Sequence, residues 1–434
     1  MNPAIQRYLD KRTDLRRWSL ETDATQGVDL VVVIPAFAEF PGLLQTLESV
    51  SAASPEALAR ALVIVVVNHR EDAVPEEKEN NSQALVALRS WSGALRLGLV
   101  DAAAQGHELL AKEGVGTARK AGLDLALSIL AENGRESGGL VCLDADTTVD
   151  AGYLDSLHAF FAEPNRWAAV LEYAHPVAGD SAETEAILYY EMFLRYYELG
   201  LAWARSPFAF PAIGSAMGCT GMAYAAVSGM NRRCAGEDFY FLQQLAKTGV
   251  IQRVPGAIVR PASRPSRRVP FGTGRRVLEF LDNAETACRF YAPESFCVLR
   301  AWLEIADNGL ESSGELLLKG AAQLNPALAD FLTRQDFAAT WTRLQKEHSG
   351  TRRMAAAFHT WFDGFRTLKL MHHLRDNGLA DHTGFSAVCE ILSWMGQALS
   401  PTPQLGALDA QRQLLEHMRK FGQEQQEWGM ARRF

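Results

Sequence analysis

Two aspartates with the position and spacing of metal ligands follow a short apolar run. Asp144 and Asp146 come directly after residues 140–143, which are all apolar. A run of this length is typical of a strand buried on both faces of a parallel sheet. Open α/β sheets bind ligands at the carboxyl ends of their strands, and Mg²⁺ or Mn²⁺ takes one or two carboxylates and completes its shell with phosphate oxygens and water. The pattern predicts a divalent-cation site for a diphosphate; the alternative is that both aspartates cap the next turn and helix.

A second acidic motif is Gly236-Glu237-Asp238, which precedes the helical pattern of residues 239–247. A carboxylate beside a reacting hydroxyl can accept its proton during bond formation, which is the role of a general base. Acidic residues also favour helix N-termini through the helix dipole. The residues alone do not decide between a general base and an ordinary acidic helix start.

Arginines and glycines in two segments are typical of anion contacts. Residues 264–276 include Arg267 and Arg268 among five arginines and are broken by Pro and Gly. Arginine binds phosphates with two hydrogen bonds, and glycines let backbone amides approach an anion. A solvated basic loop is the alternative. Arg119 and Lys120 follow Gly114-Val115-Gly116 at a predicted helix start, but the third glycine of a dinucleotide-binding motif is missing.

The order of segments predicts the fold. Apolar, β-branched runs at 29–34, 61–67, 95–100 and 140–143 alternate with helical patterns, which indicates a doubly wound α/β sheet. The acid-rich stretch 71–82 is predicted as a loop, and residues 213–230 as loop and strand. Helical periodicity dominates after about residue 275. We therefore expect a basic N-terminal segment 1–27, a sheet domain 28–275 and a helical C-terminal region 276–434.

Composition limits the class of protein. The net charge of −8 and a pI near 5.8 argue against a general binder of nucleic acid or anionic membranes. These values are compatible with basic patches on parts of the surface. No stretch is long and apolar enough for an integral membrane segment, while the Arg- and Lys-rich residues 1–20 leave peripheral membrane contact open. Six dispersed cysteines are typical of reduced thiols in a cytosolic protein. We expect a cytoplasmic protein.

Taken together, the motifs resemble the family 2 glycosyltransferases, which have the GT-A fold of a Rossmann-like mixed sheet. The resemblance covers about residues 28–275. It rests on Val-Val-Val-Ile-Pro-Ala-Phe-Ala-Glu at 31–39, Gly-x-Gly-x-Ala-Arg-Lys-Ala-Gly at 114–122, Leu-Asp-Ala-Asp at 143–146 and Gly-Glu-Asp at 236–238.

The resemblance implies metal-dependent, inverting transfer of a sugar from a nucleotide-diphosphate donor to a hydroxyl acceptor, with Mg²⁺ or Mn²⁺ as cofactor. Asp146 would ligate the metal with Asp144, which also faces the ribose or sugar, and Asp238 would be the base with Glu237 beside it. The remaining expected donor contacts are Pro35, Phe37, Glu39, Asn68, Arg119, Lys120, Arg267 and Arg268. Glu172 and His175 follow a predicted strand at 168–171 and are candidates for acceptor contacts.

The chain also departs from the family pattern. Asn68-His69-Arg70 replaces the usual Asp-Asp-Gly-Ser type turn after the second strand, and the usual Gln-x-x-Arg-Trp motif is absent. The Arg267-Arg268 loop is the expected substitute for that motif. A sugar-phosphate nucleotidyltransferase and a non-catalytic nucleotide-sugar-binding scaffold remain as alternatives.

Overall fold

The computed structural model of the chain describes residues 1–22, 24–264, 272–397 and 401–424. Their contacts form two compact units. The first contains Met1–Pro176 and Ala212–Ser263, and the second contains Val177–Pro211 and the described residues from Gly272 onward. The predicted domain boundaries near residues 27 and 275 stay a prediction.

A mixed sheet forms the centre of the first unit. Its strands are β1 (Leu20–Glu21), β2 (Leu30–Ala36), β3 (Ala61–Asn68), β4 (Leu97–Ala102), β5 (Gly139–Cys142), β6 (Thr148–Val149), β7 (Ala168–Tyr173), β8 (Met217–Thr220) and β9 (Ile251–Arg260). In the described residues they lie in the order β1-β4-β3-β2-β5-β8-β7-β9-β6. β4, β3, β2 and β5 are parallel, whereas β8 is antiparallel to β5 and β7. The prediction of a doubly wound α/β mixed sheet is confirmed.

The strand order sets the position of the site. β2 lies between β3 and β5, so the chain leaves β2 in one direction and later returns to its other side. Such a change of direction opens a crevice at the carboxyl ends of the parallel strands. Residues 30–34 and 62–67 are fully buried, and this apolar core fixes the strand ends that border the crevice.

Helices cover the sheet of the first unit. They are α1 (Pro3–Arg12), α2 (Gly42–Ser51), α3 (Pro55–Arg60), α4 (Pro75–Arg89), α5 (Val115–Glu132), α6 (Tyr153–Ala162), α8 (Gly221–Ala226) and α9 (Glu237–Thr248). The prediction that 71–82 is a loop is wrong, because α4 begins at Pro75. Proline suits the first helical position, and Glu76 and Glu77 complement the helix dipole in the first turn. In 213–230 the structure has β8 and also the short helix α8.

The second unit is helical, which confirms the predicted helical C-terminal region. Its core is rich in aromatic side chains, among them the fully buried Trp302, Trp341 and Phe358. None of the described helices is both long and apolar enough to cross a membrane. The unit contains α7 (Ala182–Trp203), α10 (Thr273–Asp282), α11 (Ala284–Ala287), α12 (Pro293–Asn308), α13 (Gly314–Leu324), α14 (Pro326–Arg334), α15 (Phe337–Glu347), α16 (Thr351–Trp361), α17 (Gly364–Asp376), α18 (Ser386–Trp394) and α19 (Leu408–Glu424), with the strand pair β10 (Arg289–Phe290) and β11 (His382–Thr383).

Candidate active site

The turn after β5 presents Asp144 and Asp146 at the carboxyl edge of the sheet. The backbone N–H of Thr147 donates to the carbonyl of Asp144 at 3.1 Å, which closes the turn. Thr46 Oγ1 donates to the carbonyl of Ala145 at 2.9 Å and ties the turn to α2. Both aspartates are partly exposed. The backbone is therefore held while both carboxylates remain accessible.

A buried arginine joins the two acidic motifs. Arg119, in the second turn of α5, is 3% exposed. Its Nη2 donates to Asp144 Oδ1 at 2.5 Å, and its Nη1 donates to the carbonyl of Gly214 at 2.5 Å. Its Nε lies 3.1 Å from Glu237 Oε1 as an ion pair, without the alignment of a hydrogen bond. One guanidinium thus connects the turn after β5 with the start of α9.

Glu237 and Asp238 form the first turn of α9. Gly236 precedes them at φ +69°, in the left-handed region that favours glycine. Asn231 Nδ2 donates to the carbonyl of Glu237 at 2.8 Å. Glu237 is 4% exposed, whereas Asp238 is partly exposed. Asp238 is therefore the more exposed residue of the pair, and its Oδ1 accepts a hydrogen bond from the backbone N–H of Phe239 at 2.7 Å.

Burial controls the ionisation of this group. Burial raises the pKa of Glu237 to about 7, with a further rise from Asp238 and an opposing effect of Arg119. Burial also raises the pKa of Asp238, and Asp144 adds to this while Arg119 opposes it. For Arg119, burial alone would lower the pKa, but Asp144 and Glu237 outweigh it and raise the pKa. The result is a permanently charged arginine near two carboxyl groups, those of Glu237 and Asp238, whose pKa values are raised.

The glycines at the start of α5 serve close packing. The N–H of Gly116 donates to the carbonyl of Arg233 at 3.1 Å. A Cβ at position 116 would lie 2.5 Å from that carbonyl oxygen, and one at Gly114 would lie 2.9 Å from Cα of Cys234. The loop before α9 therefore rests directly on the first turn of α5, which sets the distance between Arg119 and Glu237.

The predicted donor residues of β2 and β3 lie at the same edge of the sheet. Pro35 is buried within β2, and Phe37 and Glu39 follow it and are partly exposed. Asn68 is 5% exposed and its Nδ2 donates to the carbonyl oxygens of Ala36 and Val66, at 3.1 and 3.0 Å. Asn68 therefore joins the ends of β2 and β3, and its amide N–H groups already have partners.

Lys120 lies in a different group of side chains from Arg119. It is 7% exposed, and its Nζ donates to the Tyr8 hydroxyl at 2.7 Å and pairs with Asp124 Oδ2 at 3.0 Å. Asp124 Oδ1 also accepts hydrogen bonds from the hydroxyls of Tyr8 and Tyr224, at 2.7 and 2.8 Å. We name these four residues the Tyr8 cluster. The described contacts of Lys120 bind α1 to α5 and do not join it to Asp144.

The remaining predicted residues lie elsewhere. Glu172 is 5% exposed and its Oε2 accepts a hydrogen bond from Arg253 at 2.7 Å. His175 is 2% exposed and its ring meets Tyr173 edge to face. Both are buried in the first unit, and their acceptor role stays a prediction. Arg267 and Arg268 lie outside the described residues.

Sequence reasoning missed Tyr8, Asp124, Tyr224 and the carbonyl of Gly214. The spacing of Lys120 and Asp124 was a readable signal, because residues four apart on a helix are neighbours. No sequence feature indicated the tyrosines, since Tyr8 is 116 residues from Asp124.

The described residues hold no group of three or more His, Cys, Asp or Glu side chains arranged for a metal ion. The turn after β5 brings the carboxylates of Asp144 and Asp146 to the sheet edge, where both residues are partly exposed. Hard oxygen donors in this number suit Mg²⁺ or Mn²⁺ when a substrate phosphate completes the shell. They do not suit a metal held by protein ligands alone.

Comparisons with known proteins give similarities among solved structures. No protein-family model matches the chain, and no curated protein matches it. The fold is similar to S. aureus TarS 1–349 in complex with UDP-GlcNAc, at 13% identity, with 91% of this chain and 92% of that chain covered and a TM-score of 0.35. It is also similar to the mannosyltransferase PcManGT from Pyrobaculum calidifontis in complex with GDP-Man and Mn²⁺, at 16% identity, 83% and 93% coverage and a TM-score of 0.34.

Proposed function

We propose that the chain is a metal-dependent glycosyltransferase that moves a sugar from a nucleotide-diphosphate donor to a hydroxyl acceptor. The observation that supports this most directly is the buried Arg119, which holds Asp144 and Glu237 together at the carboxyl edge of β5. The residue types match the needs of the reaction, in which a leaving diphosphate must be neutralised and a hydroxyl must lose a proton.

Asp144 and Asp146 would hold the cation with the donor diphosphate. Arg119 fixes one oxygen of Asp144 by a hydrogen bond, while the Asp144 side chain remains 34% exposed. When bound, Mg²⁺ or Mn²⁺ supplies positive charge that stabilises the departing diphosphate.

Asp238 is the proposed general base. The acceptor hydroxyl transfers its proton to an Asp238 oxygen, its oxygen bonds to the anomeric carbon, and the bond from that carbon to the diphosphate oxygen breaks. The attack in line with the leaving group inverts the anomeric configuration. A raised pKa suits this role, because a more basic carboxylate accepts a proton more readily.

Glu237 has a supporting role in this mechanism. Its side chain is 6% exposed and is paired with Arg119, so it is poorly placed to meet an acceptor. The pKa of Glu237 itself is raised, first by burial and also by the neighbouring Asp238, while Arg119 opposes the rise. We therefore assign Glu237 as a positioning residue and Asp238 as the group that contacts the acceptor.

A mass-spectrometric screen of UDP-, GDP- and TDP-sugars, with and without Mn²⁺, tests the proposal. We expect release of the nucleoside diphosphate from at least one donor, and only with the cation. Release of pyrophosphate from a nucleoside triphosphate and a sugar phosphate would instead indicate a nucleotidyltransferase. Donor binding without turnover in the presence of sugar acceptors would indicate a non-catalytic scaffold.

A further inference from the structure

An exposed cationic surface surrounds the N-terminal helix. We define the basic face as Arg7, Lys11 and Arg12 of α1, Arg16 just after it, and Arg232 of the loop before α9. All five are exposed. Among the described residues, no carboxylate forms an ion pair with any of them. Their charges are therefore available to an external partner.

The segment that follows α1 meets the loop before α9. Asp14, Leu15 and Arg232 line the same small cavity of about 20 Å³, together with Lys120. Burial is the main effect that lowers the pKa of Lys120. The charge of Asp124 raises this pKa, and the positive charges of Arg232 and Arg12 lower it. Arg232 therefore lies beside Lys120 and close to the segment that follows α1.

The Tyr8 cluster holds α1 in place. Ile5 and Tyr8 point inward at 0% and 4% exposure, and a Cβ at Gly229 would lie 1.9 Å from the Tyr8 hydroxyl. Tyr8 is fixed by hydrogen bonds to Lys120 and Asp124. Because Ile5 and Tyr8 face the first unit, Arg7 and Lys11 point away from it, and Arg12 is exposed at the C-terminal end of the helix.

The charge of this surface contrasts with that of the whole chain. The chain carries a net charge of −8, so the basic face is a local exception rather than part of a generally basic protein. Exposed Asp10 and Asp14 reduce its charge, but the five cations of the basic face outnumber these two carboxylates. Such a charge distribution orients a protein toward an anionic surface.

The exposed side chains favour lipid over nucleic acid as the partner. Proteins that bind single-stranded nucleic acid present aromatic rings for base stacking, but Tyr8 and Trp18 are buried, at 4% and 7% exposure. Clusters of about four to eight Lys or Arg side chains on a helix surface suit the anionic headgroups of a bilayer, and the basic face has five such side chains. We propose that the basic face docks the protein onto a bilayer that contains anionic phospholipids.

Vesicle co-sedimentation of the full chain tests this proposal. We expect binding to vesicles of phosphatidylcholine with phosphatidylserine, and none to pure phosphatidylcholine. Raising the salt from 0.1 M to 1 M shortens the Debye length from about 10 Å to about 3 Å and should release the protein. The triple variant Arg7→Gln, Lys11→Gln and Arg12→Gln should lower the partition coefficient on the order of 100-fold, at about fivefold per cation.

A matched variant controls for the change in net charge. Lys319→Gln, Arg343→Gln and Lys346→Gln remove three exposed cations from the second unit and should leave vesicle binding unchanged. Circular dichroism should show both variants folded, since all six side chains are exposed. Equal binding to neutral vesicles, an equal loss in the control variant, or tighter binding to a short single-stranded oligonucleotide than to the anionic vesicles would overturn the proposal.

Discussion

Replacing Arg119 by methionine removes the charge that holds the candidate site together. The variant leaves the carbonyl of Gly214 without its donor, which costs about 1–3 kcal/mol at any pH. It also leaves Glu237 and Asp144 without the cation between them. Breaking a buried ion pair by removing one partner typically costs about 3–5 kcal/mol, and we expect a loss in this range at pH 8.

The loss of stability caused by Arg119→Met should grow as the pH rises. The pKa of Glu237 in the folded protein is about 7, above its ordinary value of 4.5, so the folded state of the wild type already loses stability as pH rises between these values. Without Arg119 this pKa rises further. The folded variant then keeps a proton on Glu237 that the unfolded chain has lost. Its free energy of unfolding therefore falls, relative to the wild type, by about 1.4 kcal/mol for each pH unit above 7. At pH 5 Glu237 is protonated in both folded proteins and adds nothing to the difference.

Hydrogen exchange of the amides in α5 and β5 measures this effect, because it reports the opening free energy of these elements separately from the second unit. The double variant Arg119→Met with Glu237→Gln should lose most of the pH dependence. Arg89→Met is the control: its ion pair with Glu21 is exposed at 48% and 46%, so its loss should be within about 1 kcal/mol. If Arg119→Met lowers the opening free energy by the same amount at pH 5 and at pH 8, this reasoning is refuted.

Three further variants test the assigned roles. Asp238→Asn should lower turnover by about 10²–10⁴-fold, because the amide cannot take the proton, with donor affinity unchanged by calorimetry; parallel loss of donor affinity would make Asp238 a donor-side residue. Asp146→Ala should abolish Mn²⁺-dependent affinity for nucleoside diphosphate with an unchanged circular dichroism spectrum, and unchanged affinity would exclude it as a ligand. Lys120→Met leaves Asp124 buried without its cation, so the melting temperature should fall while donor affinity stays the same; a selective loss of donor affinity would restore the predicted donor contact of Lys120.

The sequence predicted the elements whose patterns are local. The apolar runs that became β2, β3 and β5 are buried on both faces, and such strands are recognisable from composition alone. The placement of Asp144 at the end of β5 followed from the same pattern. The start of α4 was missed because its first turns are polar, although Pro75 and the two glutamates after it form a helix start. Residues 83–91 were predicted as helical, and α4 extends to Arg89.

The contacts between distant segments were outside the reach of the sequence. Arg119 and Lys120 are adjacent, but consecutive residues on a helix point about 100° apart. One therefore meets Asp144 while the other meets Tyr8 and Asp124. Which residue faces which group depends on how α1 and α9 pack on α5, and no local pattern encodes that packing.

Hydrogen exchange with nucleoside diphosphate tests most directly whether the Arg119 group is the donor site. UDP and GDP are each added to the full chain with Mn²⁺, and amide protection is compared with the protein alone. We predict that at least one of them protects the start of α5, the turn at 144–147 and the first turn of α9 together, and that omission of Mn²⁺ or the Asp146→Ala substitution removes this protection. Protection by either nucleotide at other segments, with these three unchanged, would contradict the assignment of the site.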